Sequence, residues 1–372
     1  MISQNQMNNI NKKERFFITG GMGYIGSLFA IEALKKGHAV CLYDSLMYEQ
    51  NRARMLKEIC NTKKAEGPEG SRGTELEFII GDTRNTELLT ESLKKFKPSY
   101  VLHLGELSSV YACNHHPALT EDINYRASKK VLDICEKLNL KVLYNSSSSV
   151  YGAQKDSRLS TEKDPLPPLT DYYCRYKIKI EEYVKNKVEK NSDYKIIVFR
   201  PATVFGLSPR FRIELLPNHF TYLAVAKKMI RVSELNAYRA AIDIDELIQG
   251  YFKVIEKDKW ESLIYNIGHH NMNKGEFSRG IQKVVGCDIG MAPDIGDLRN
   301  LQIDCSKFNN EFDFHPNISY ETSIKKVAGW IKKNLHTLER TNFVEFLNMP
   351  LNNWNKICQS NVSIEPVKNK KL

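Results

Sequence analysis

The chain has 372 residues, 42% of them hydrophobic and 26% charged, with a formal net charge of +10. This length suits one large α/β unit with a smaller lobe, and the composition is ordinary for a soluble globular protein. No apolar run approaches the roughly 20 residues of a membrane span. The basic residues form no dense stripe or aromatic–basic repeat, so we predict a cytoplasmic protein that binds neither membrane nor nucleic acid.

The beginning of the chain and the cysteines restrict the class of protein further. Residues 1–14 are polar and lack the apolar stretch of a signal peptide, so we predict a flexible leader. The eight cysteines form no C-x-x-C pair, which favours reduced thiols. The neighbouring histidines His115–His116 and His269–His270 have no well-spaced partner, so we predict no metal site.

Short β-rich runs alternate with helical periods along the first half of the chain. Predicted strands lie at 16–19, 39–43, 76–80, 100–104, 141–144 and 196–199, and the first predicted helix at 27–36. This rhythm predicts an α/β protein with a Rossmann-type, doubly wound parallel sheet. Residues 61–75 are predicted to be an exposed loop.

The rhythm changes after residue 206, which predicts a second unit. Residues 207–235 read as a loop and a helix, and further helices are predicted at 276–285 and 324–333. We predict a dinucleotide-binding domain at 15–206, to which 237–258 return, and a smaller, mixed α/β substrate-binding lobe at 207–336. Residues 337–372 form a C-terminal extension.

A glycine-rich turn follows the first predicted strand. Residues 19–26 read Thr-Gly-Gly-Met-Gly-Tyr-Ile-Gly, with glycines spaced by three at Gly20, Gly23 and Gly26. Such glycines let the backbone turn tightly and approach a pyrophosphate at the N-terminus of the next helix. The alternative is a tight strand–helix turn that binds nothing.

Acidic residues at the ends of the next two strands favour a dinucleotide. Asp44 lies 18 residues after Gly26, where a carboxylate can accept hydrogen bonds from the adenosine ribose and repel the extra phosphate of NADP. This position predicts NAD as the cofactor. Asp82 and Thr83 end the third strand, and Asp82 either reaches the adenine or caps the following helix.

Tyr173 and Lys177 are four residues apart, hence on one face of a helix. A lysine ammonium stabilises a phenolate, and with the charge of the nicotinamide it lowers a tyrosine pKa from about 10 toward neutrality. Such a tyrosine can act as the general base on an alcohol. A hydroxyl of Ser146–Ser149 could bond the substrate oxygen. The alternatives are a surface pair and a polar loop.

Together these motifs resemble a known family. Thr-Gly-Gly-x-Gly-Tyr-Ile-Gly at 19–26, Gly-Asp-x-Arg-Asn at 81–85, Ser-Ser-Ser-Ser-Val-Tyr-Gly at 146–152 and Tyr-x-x-x-Lys at 173–177 are similar to those of the extended short-chain dehydrogenase/reductases. Within these, residues 15–334 most resemble the NAD-dependent nucleotide-sugar epimerase/dehydratase family, typified by UDP-glucose 4-epimerase.

The resemblance implies a role for individual residues. Tyr173 is the expected catalytic base, Lys177 its partner and a ligand of the nicotinamide ribose, and Ser147 the catalytic hydroxyl. The resemblance also implies a homodimer formed through helices near 117–138 and 173–184. The expected cofactor-binding residues are Gly20, Gly23, Tyr24, Ile25, Gly26, Asp44, Asp82, Thr83, Asn124, Tyr173 and Lys177.

The same resemblance implies a nucleotide-diphosphate sugar as substrate. Arg239 and Arg299 match arginines that grip the diphosphate, for which surface salt bridges are the alternative, and Asn218 matches the substrate loop. Arg210 and Arg212 are weaker candidates. Glu106 occupies a position that is normally small and apolar, so it either has a polar role near the nicotinamide or sugar, or bonds backbone or a nearby basic group.

Departures from the family pattern decide the expected reaction. Dehydrating members carry Asp-Glu directly after the catalytic hydroxyl, whereas this chain has Ser148 and Ser149. The remaining chemistry is C4 epimerisation, in which Tyr173 removes the hydroxyl proton while hydride passes to NAD and then returns to the opposite face of the 4-keto sugar. Alternatives are a net 4-dehydrogenase or 4-ketoreductase and a non-catalytic NAD sensor. Thr203 and Asp243 are also off-pattern, which points to a substrate other than UDP-glucose.

Overall fold

A parallel sheet forms the larger part of the protein. The computed structural model describes residues 13–48, 52–64, 75–154, 158–260, 262–292 and 300–340. The strands of this sheet are β1 (Arg15–Thr19), β2 (Ala39–Asp44), β3 (Leu76–Ile80), β4 (Tyr100–His103), β5 (Lys141–Asn145), β6 (Ile196–Pro201) and β10 (Ile264–Ile267). Their spatial order is β3-β2-β1-β4-β5-β6-β10, and all neighbours pair in parallel. The predicted Rossmann-type sheet is confirmed.

The order of the strands reverses between β1 and β4. The chain leaves β3 at one edge and resumes at β4 on the other side of β1. In open parallel sheets, ligands bind outside the carboxyl ends of the strands at such a switch point. The fold therefore directs attention to the residues that follow β1, β2 and β4.

Helices cover both faces of the sheet. Some of them begin at a local capping signal, such as the capping box of Asn273 and Glu276 before the helix that begins at Lys274. Among the described residues, none of the helices is both long enough and apolar enough to cross a membrane. The helices are α1 (Tyr24–Lys35), α2 (Arg52–Lys64), α3 (Thr86–Phe96), α4 (Val110–His115), α5 (Pro117–Thr120), α6 (Ser128–Lys137), α7 (Tyr172–Lys190), α8 (Leu216–Lys227), α9 (Ile244–Lys257), α10 (Lys274–Val285), α11 (Ser306–Phe312) and α12 (Tyr320–Arg340).

One predicted loop differs from the structure, and one strand of the large sheet was not predicted. Residues 61–64, predicted to lie in an exposed loop, form the last turn of α2. Strand β10 escaped prediction because it is only four residues long and carries a polar residue, Asn266, between apolar ones. The buried Asn266 amide donates to the carbonyl oxygens of Ser160 and Asp304, so this strand tolerates it.

The second lobe is smaller and mixed. It contains a three-stranded sheet of β7 (Thr203–Phe205), β9 (Tyr238–Asp243) and β11 (His270–Asn273), and a parallel pair of β8 (Met229–Val232) and β12 (Asp288–Met291). Its core gathers Phe205, Phe277, Tyr320 and other buried apolar side chains. The predicted mixed α/β lobe is confirmed.

The polypeptide passes between the two units more than once. Helix α9 packs back onto the large sheet, where Tyr251 and Phe252 join a core that includes Phe16 and Phe29. The rings of Phe29 and Phe252 stack with centroids 4.9 Å apart. Because the lobes share this core, the space between them is fixed by packing rather than by a linker.

Asp243 lies at the junction between β9 and α9. One carboxylate oxygen accepts a hydrogen bond from the amide of Asp245 at 2.7 Å, which caps α9, and the other accepts the hydroxyl of Ser323. Asp243 is only 2% exposed. Burial raises the pKa of Asp243 to about 6, although both hydrogen bonds act in the opposite direction.

We predict that Asp243→Asn changes how stability depends on pH. The folded protein retains a proton on Asp243 up to about pH 6 that the unfolded chain releases near its ordinary pKa, so ionised Asp243 destabilises the fold and the free energy of unfolding falls as pH rises between these values. Asparagine keeps a capping oxygen without the charge. Urea denaturation at about pH 4 and about pH 7 measures the decline in the free energy of unfolding between these two values. We expect that decline to be smaller in the variant than in the native protein, by on the order of 3 kcal/mol. Identical pH dependence in both proteins would contradict this.

Candidate active site

A cavity of about 650 Å³ lies at the carboxyl ends of the central strands and extends to the second lobe. It brings together most residues predicted from the sequence. Asn124 and Asn218 do not line it, and Arg299 lies outside the described residues. The predicted residues that line it are Gly20, Gly23, Tyr24, Ile25, Gly26, Asp44, Asp82, Thr83, Glu106, Ser147, Tyr173, Lys177, Arg210, Arg212 and Arg239.

The glycine turn forms a backbone cradle at one end of the cavity. Gly20 has φ +67°, and a Cβ there would lie 2.6 Å from the carbonyl oxygen of Leu104. A Cβ on Gly26 would lie 2.5 Å from the carbonyl oxygen of Gly20. At Gly23, no side chain caps α1. This uncapped helix N-terminus behind a side-chain-free turn fits a pyrophosphate group.

The two predicted acidic residues behave differently. Asp44 accepts hydrogen bonds from the amides of Met22 at 2.9 Å and Leu46 at 2.8 Å, so it braces the glycine turn from the end of β2. Asp82 forms a salt bridge with Arg84 at 2.8 Å. The idea that Asp82 caps the next helix is wrong, because the side chain that caps α3 is Asn85.

The predicted base lies in the first turn of α7. Asp171 caps this helix by accepting a hydrogen bond from the Cys174 amide at 2.8 Å, which places Tyr173 against the cavity. Burial raises the pKa of Tyr173 above its ordinary value, and a hydrogen bond with Ser147 opposes that shift. A phenol in this position is protonated at neutral pH, so it needs nearby positive charge to act as a base.

Lys177 is held by the chain itself. The residue is only 5% exposed, so the pair with Tyr173 is not a surface pair. Its ammonium lies 5.8 Å from the centre of the Tyr173 ring. It donates to the carboxylate of Glu106 at 2.5 Å and to the backbone oxygen of Asn145. Of the two roles considered for Glu106, bonding to a basic group is therefore observed, and that group is the predicted catalytic lysine.

A buried ion pair bonds to the loop that contains Ser146–Ser149. This ion pair was not predicted from the sequence. Arg200 and Glu181 contact each other at 2.5 Å, each with 1% side-chain exposure. Glu181 accepts the hydroxyl of Ser146 at 2.5 Å, and Arg200 donates to the hydroxyl of Tyr151 at 2.8 Å. A sequence signal existed, because Glu181 follows Lys177 by four residues on the same face of α7.

Asn124 and Asn218 support the cavity from outside it. The amide of Asn124 exchanges two hydrogen bonds with the backbone of Leu107, at 2.8 and 2.9 Å, and so holds the loop that carries Glu106. The amide of Asn218 accepts from the Gly206 amide at 3.0 Å and donates to the Arg212 carbonyl at 2.9 Å. Both side chains fix loops of the site through backbone groups.

Three buried arginines make the second-lobe side of the cavity cationic. Arg210, Arg212 and Arg239 are each less than 9% exposed and line the cavity. The guanidinium of Arg210 lies 4.3 Å from the centre of the Tyr48 ring, and burial lowers its pKa. The guanidinium of Arg212 contacts Glu214 at 2.6 Å. Arg210 and Arg212, weaker candidates from sequence, therefore lie in the cavity together with Arg239.

A possible metal cluster lies away from this cavity. Ligand atoms of Glu246, His269 and His270 come within 4.8 Å of one another. The two imidazole rings stack, with centroids 3.9 Å apart and 23° between their planes. Their lone pairs lie in nearly parallel planes and cannot converge on one ion at the 2.0–2.1 Å of a zinc–nitrogen bond. His269 instead bonds Glu246 at 2.9 Å.

Comparison with known proteins identifies the family. The sequence profile described as the NAD dependent epimerase/dehydratase family matches residues 16–268. The chain belongs to this family. The predicted family and the predicted NAD cofactor are thereby confirmed, and the protein is an NAD-dependent enzyme of the epimerase/dehydratase class.

Individual relatives agree with this assignment. UDP-glucose 4-epimerase 2 of Arabidopsis thaliana is 25% identical over 343 residues, which cover 85% of this chain and 95% of the relative. The structure of UDP-glucose 4-epimerase from Bifidobacterium longum with NAD+ and UDP matches with a TM-score of 0.73 and 22% identity, covering 86% of this chain and 99% of that one. The dTDP-glucose 4,6-dehydratase of Bacillus anthracis matches with a TM-score of 0.71 and 22% identity, covering 87% and 98%. These structural likenesses concern the fold alone.

We predict that Arg200→Leu destabilises the protein. The substitution leaves the Glu181 carboxylate buried without its cation, and breaking such a pair costs about 3–5 kcal/mol. Chemical denaturation should show this loss in the free energy of unfolding. The matched double variant, Arg200→Leu with Glu181→Leu, removes both charges and should recover much of the loss. A single variant within about 1 kcal/mol of the native protein would contradict the prediction.

Proposed function

We propose that this enzyme epimerises C4 of a nucleotide-diphosphate sugar through a transient 4-keto sugar. The observation that carries the proposal is the meeting of Tyr173, Ser147 and Lys177 at the wall of the cavity that also contains the glycine cradle. An alcohol-oxidising base beside a dinucleotide site is the minimum machinery for reversible oxidation of a sugar hydroxyl.

The proposed cofactor contacts follow from this arrangement. Gly20 and Gly26 form the cradle for the pyrophosphate, Asp44 accepts hydrogen bonds from the adenosine ribose, and Lys177 donates to the nicotinamide ribose. When bound, NAD supplies the site that accepts the hydride and gives it back.

Proton transfer is the task of Tyr173. Its phenolate oxygen takes the proton of the C4 hydroxyl and later returns it to the same oxygen. Ser147 accepts a hydrogen bond from the Ser149 amide at 3.1 Å, which orients its hydroxyl at the start of the short 3₁₀ turn Ser148–Tyr151. That hydroxyl then donates to the substrate oxygen as charge develops there.

The residues after Ser147 argue against dehydration. Ser148 is 3% exposed, and Ser149 lines the cavity without an acidic group. A serine hydroxyl, with a pKa far from neutral, is a poor replacement for a carboxylic acid in removing water from a sugar. Because dehydratases share this fold, these side chains support epimerisation more strongly than the fold does.

Arginines are proposed to bind the diphosphate. Arg210, Arg212 and Arg239 offer planar groups suited to paired hydrogen bonds with phosphate oxygens. Arg299 stays a prediction from the sequence. The UDP-sugar relatives favour a UDP-sugar as the first compound to test.

A panel of UDP-, GDP-, dTDP- and CDP-sugars tests the proposal. A C4 epimer formed without added NAD supports it. Stoichiometric NADH with a keto product indicates a dehydrogenase instead. No turnover of any sugar by protein that retains bound NAD indicates a sensor.

We predict that Tyr173→Phe folds normally but lowers turnover by about 10²–10⁴-fold, because the variant cannot accept the hydroxyl proton. The matched control is Tyr176→Phe on the same helix, whose hydroxyl bonds Glu121 at 3.1 Å outside the cavity. The control should keep nearly full turnover with the same sugar. A fully active Tyr173→Phe protein would remove Tyr173 from the mechanism.

A further inference from the structure

The lysine beside the proposed base has a counter-ion within the protein. Lys177 and Glu106 contact each other at 2.5 Å, and their side chains are 6% and 4% exposed. At such a separation, in a site shielded from water, the negative charge of Glu106 offsets most of the field of the ammonium. Lys177 alone therefore provides little net positive charge to stabilise a phenolate on Tyr173.

Glu106 is held by a directed chain of hydrogen bonds. The Ser128 hydroxyl lies 2.7 Å from the Glu106 carboxylate and 3.1 Å from the Ile123 carbonyl oxygen. Both are acceptors for its single proton, so the Ser128 oxygen accepts from Nε2 of His103 at 3.0 Å. His103 Nδ1 then accepts from the Thr19 hydroxyl at 2.7 Å. Burial lowers the pKa of His103 to about 4, so this ring is neutral. The chain of hydrogen bonds thus runs from Thr19 through His103 and Ser128 to Glu106, and it fixes the position of the carboxylate.

The charges around Tyr173 come from several elements. Burial raises the pKa of Tyr173, and the negative charge of Glu106 raises it further. The cations that face it are Lys177, on its own helix, and Arg212, on the loop before α8. The other titratable groups near this assembly are Cys113, Tyr144, Cys174 and the neutral His103.

We propose that Glu106 is a positioning residue that holds Lys177 as a neutral ion pair, so that the cationic, oxidised form of NAD supplies the charge that activates Tyr173. The inference rests on the proposed function. The C4 hydroxyl proton moves to Tyr173 while the C4 hydride and its two electrons move to the oxidised cofactor. Tyr173 then keeps that proton, because the activating charge has gone, and can return it to the keto oxygen in the reverse transfer. No other reactant is needed.

Cofactor affinity tests this without any sugar. We compare the variants Glu106→Gln and Glu106→Asp with the native protein. The matched control is Glu234→Gln, because Glu234 forms another buried ion pair, with Lys274 at 2.6 Å, and lies outside the cavity. Loss of the negative charge should raise the ratio of Kd for NAD+ to Kd for NADH by about tenfold in Glu106→Gln. The aspartate variant keeps the charge, so its ratio and that of the control should stay within about twofold of the native protein.

Ionisation of Tyr173 is the second readout, measured as the ultraviolet difference between each protein and its Tyr173→Phe counterpart. In the native protein with NAD+ bound, Tyr173 should ionise near neutral pH. With NADH bound, or without cofactor, it should stay protonated at that pH. When both proteins are measured without cofactor, Tyr173 should ionise about one to two pH units lower in Glu106→Gln than in the native protein. In Glu106→Asp, Tyr173 should ionise at the same pH as in the native protein.

Two results would overturn the inference. One is an unchanged affinity ratio and titration in folded Glu106→Gln. The other, which needs no Glu106 variant, is that Tyr173 of the native protein ionises at the same pH with NAD+ bound as with NADH bound. Because neither readout uses a sugar, failure of the sugar panel and failure of this inference are separate observations.

Discussion

The turn after β1 touches the chain leaving β4 through backbone atoms, and the whole site depends on this contact. Gly20 approaches Leu104 so closely that a Cβ would clash with its carbonyl oxygen, and the Leu104 amide donates to the Thr19 carbonyl at 3.1 Å. The same Thr19 offers its hydroxyl to His103, the start of the chain that ends on Glu106. The glycine turn and the Lys177–Glu106 pair are therefore positioned by one junction, at the point where the strand order reverses.

A second junction fixes the opposite wall of the cavity. The hydroxyl of Tyr24, the first residue of α1, donates to the carbonyl oxygen of Gly206 at 2.7 Å, and the Ser208 hydroxyl donates to the Tyr24 carbonyl at 2.5 Å. Four residues beyond Ser208 the chain reaches Arg212, which contacts Ser108 on the loop after β4 at 3.0 Å. Arg210 and Arg212 thus lie at a fixed distance from the glycine turn, because the stretch of chain just before them is bonded to the first residue of α1.

Local patterns predicted the glycine turn and the tyrosine–lysine pair that line the cavity, whereas the groups that bond to them are distant in sequence. The glycine spacing and the four-residue spacing of Tyr173 and Lys177 are visible within one element, because turns and helix faces are set by neighbours in the chain. The acceptor of Lys177 is 71 residues away, and nothing near Glu106 in sequence indicates which cation it meets. Asparagine is ambiguous in the same way, because its amide can bond a ligand or the backbone. Asn124 and Asn218 were expected to contact cofactor and substrate, and the structure shows both amides bonded to backbone groups.

An enzyme that oxidises and then reduces the same carbon needs a base that becomes an acid within one catalytic cycle. A lysine without a counter-ion keeps the same positive charge in both redox states of the cofactor, so it favours the phenolate form of Tyr173 throughout the cycle. Pairing Lys177 with a buried carboxylate leaves the changing charge of the nicotinamide as the variable that Tyr173 responds to. A net dehydrogenase has no such need, since its proton leaves for solvent. Under the proposed function, the Lys177–Glu106 pair thus serves the step in which Tyr173 returns its proton to the keto oxygen.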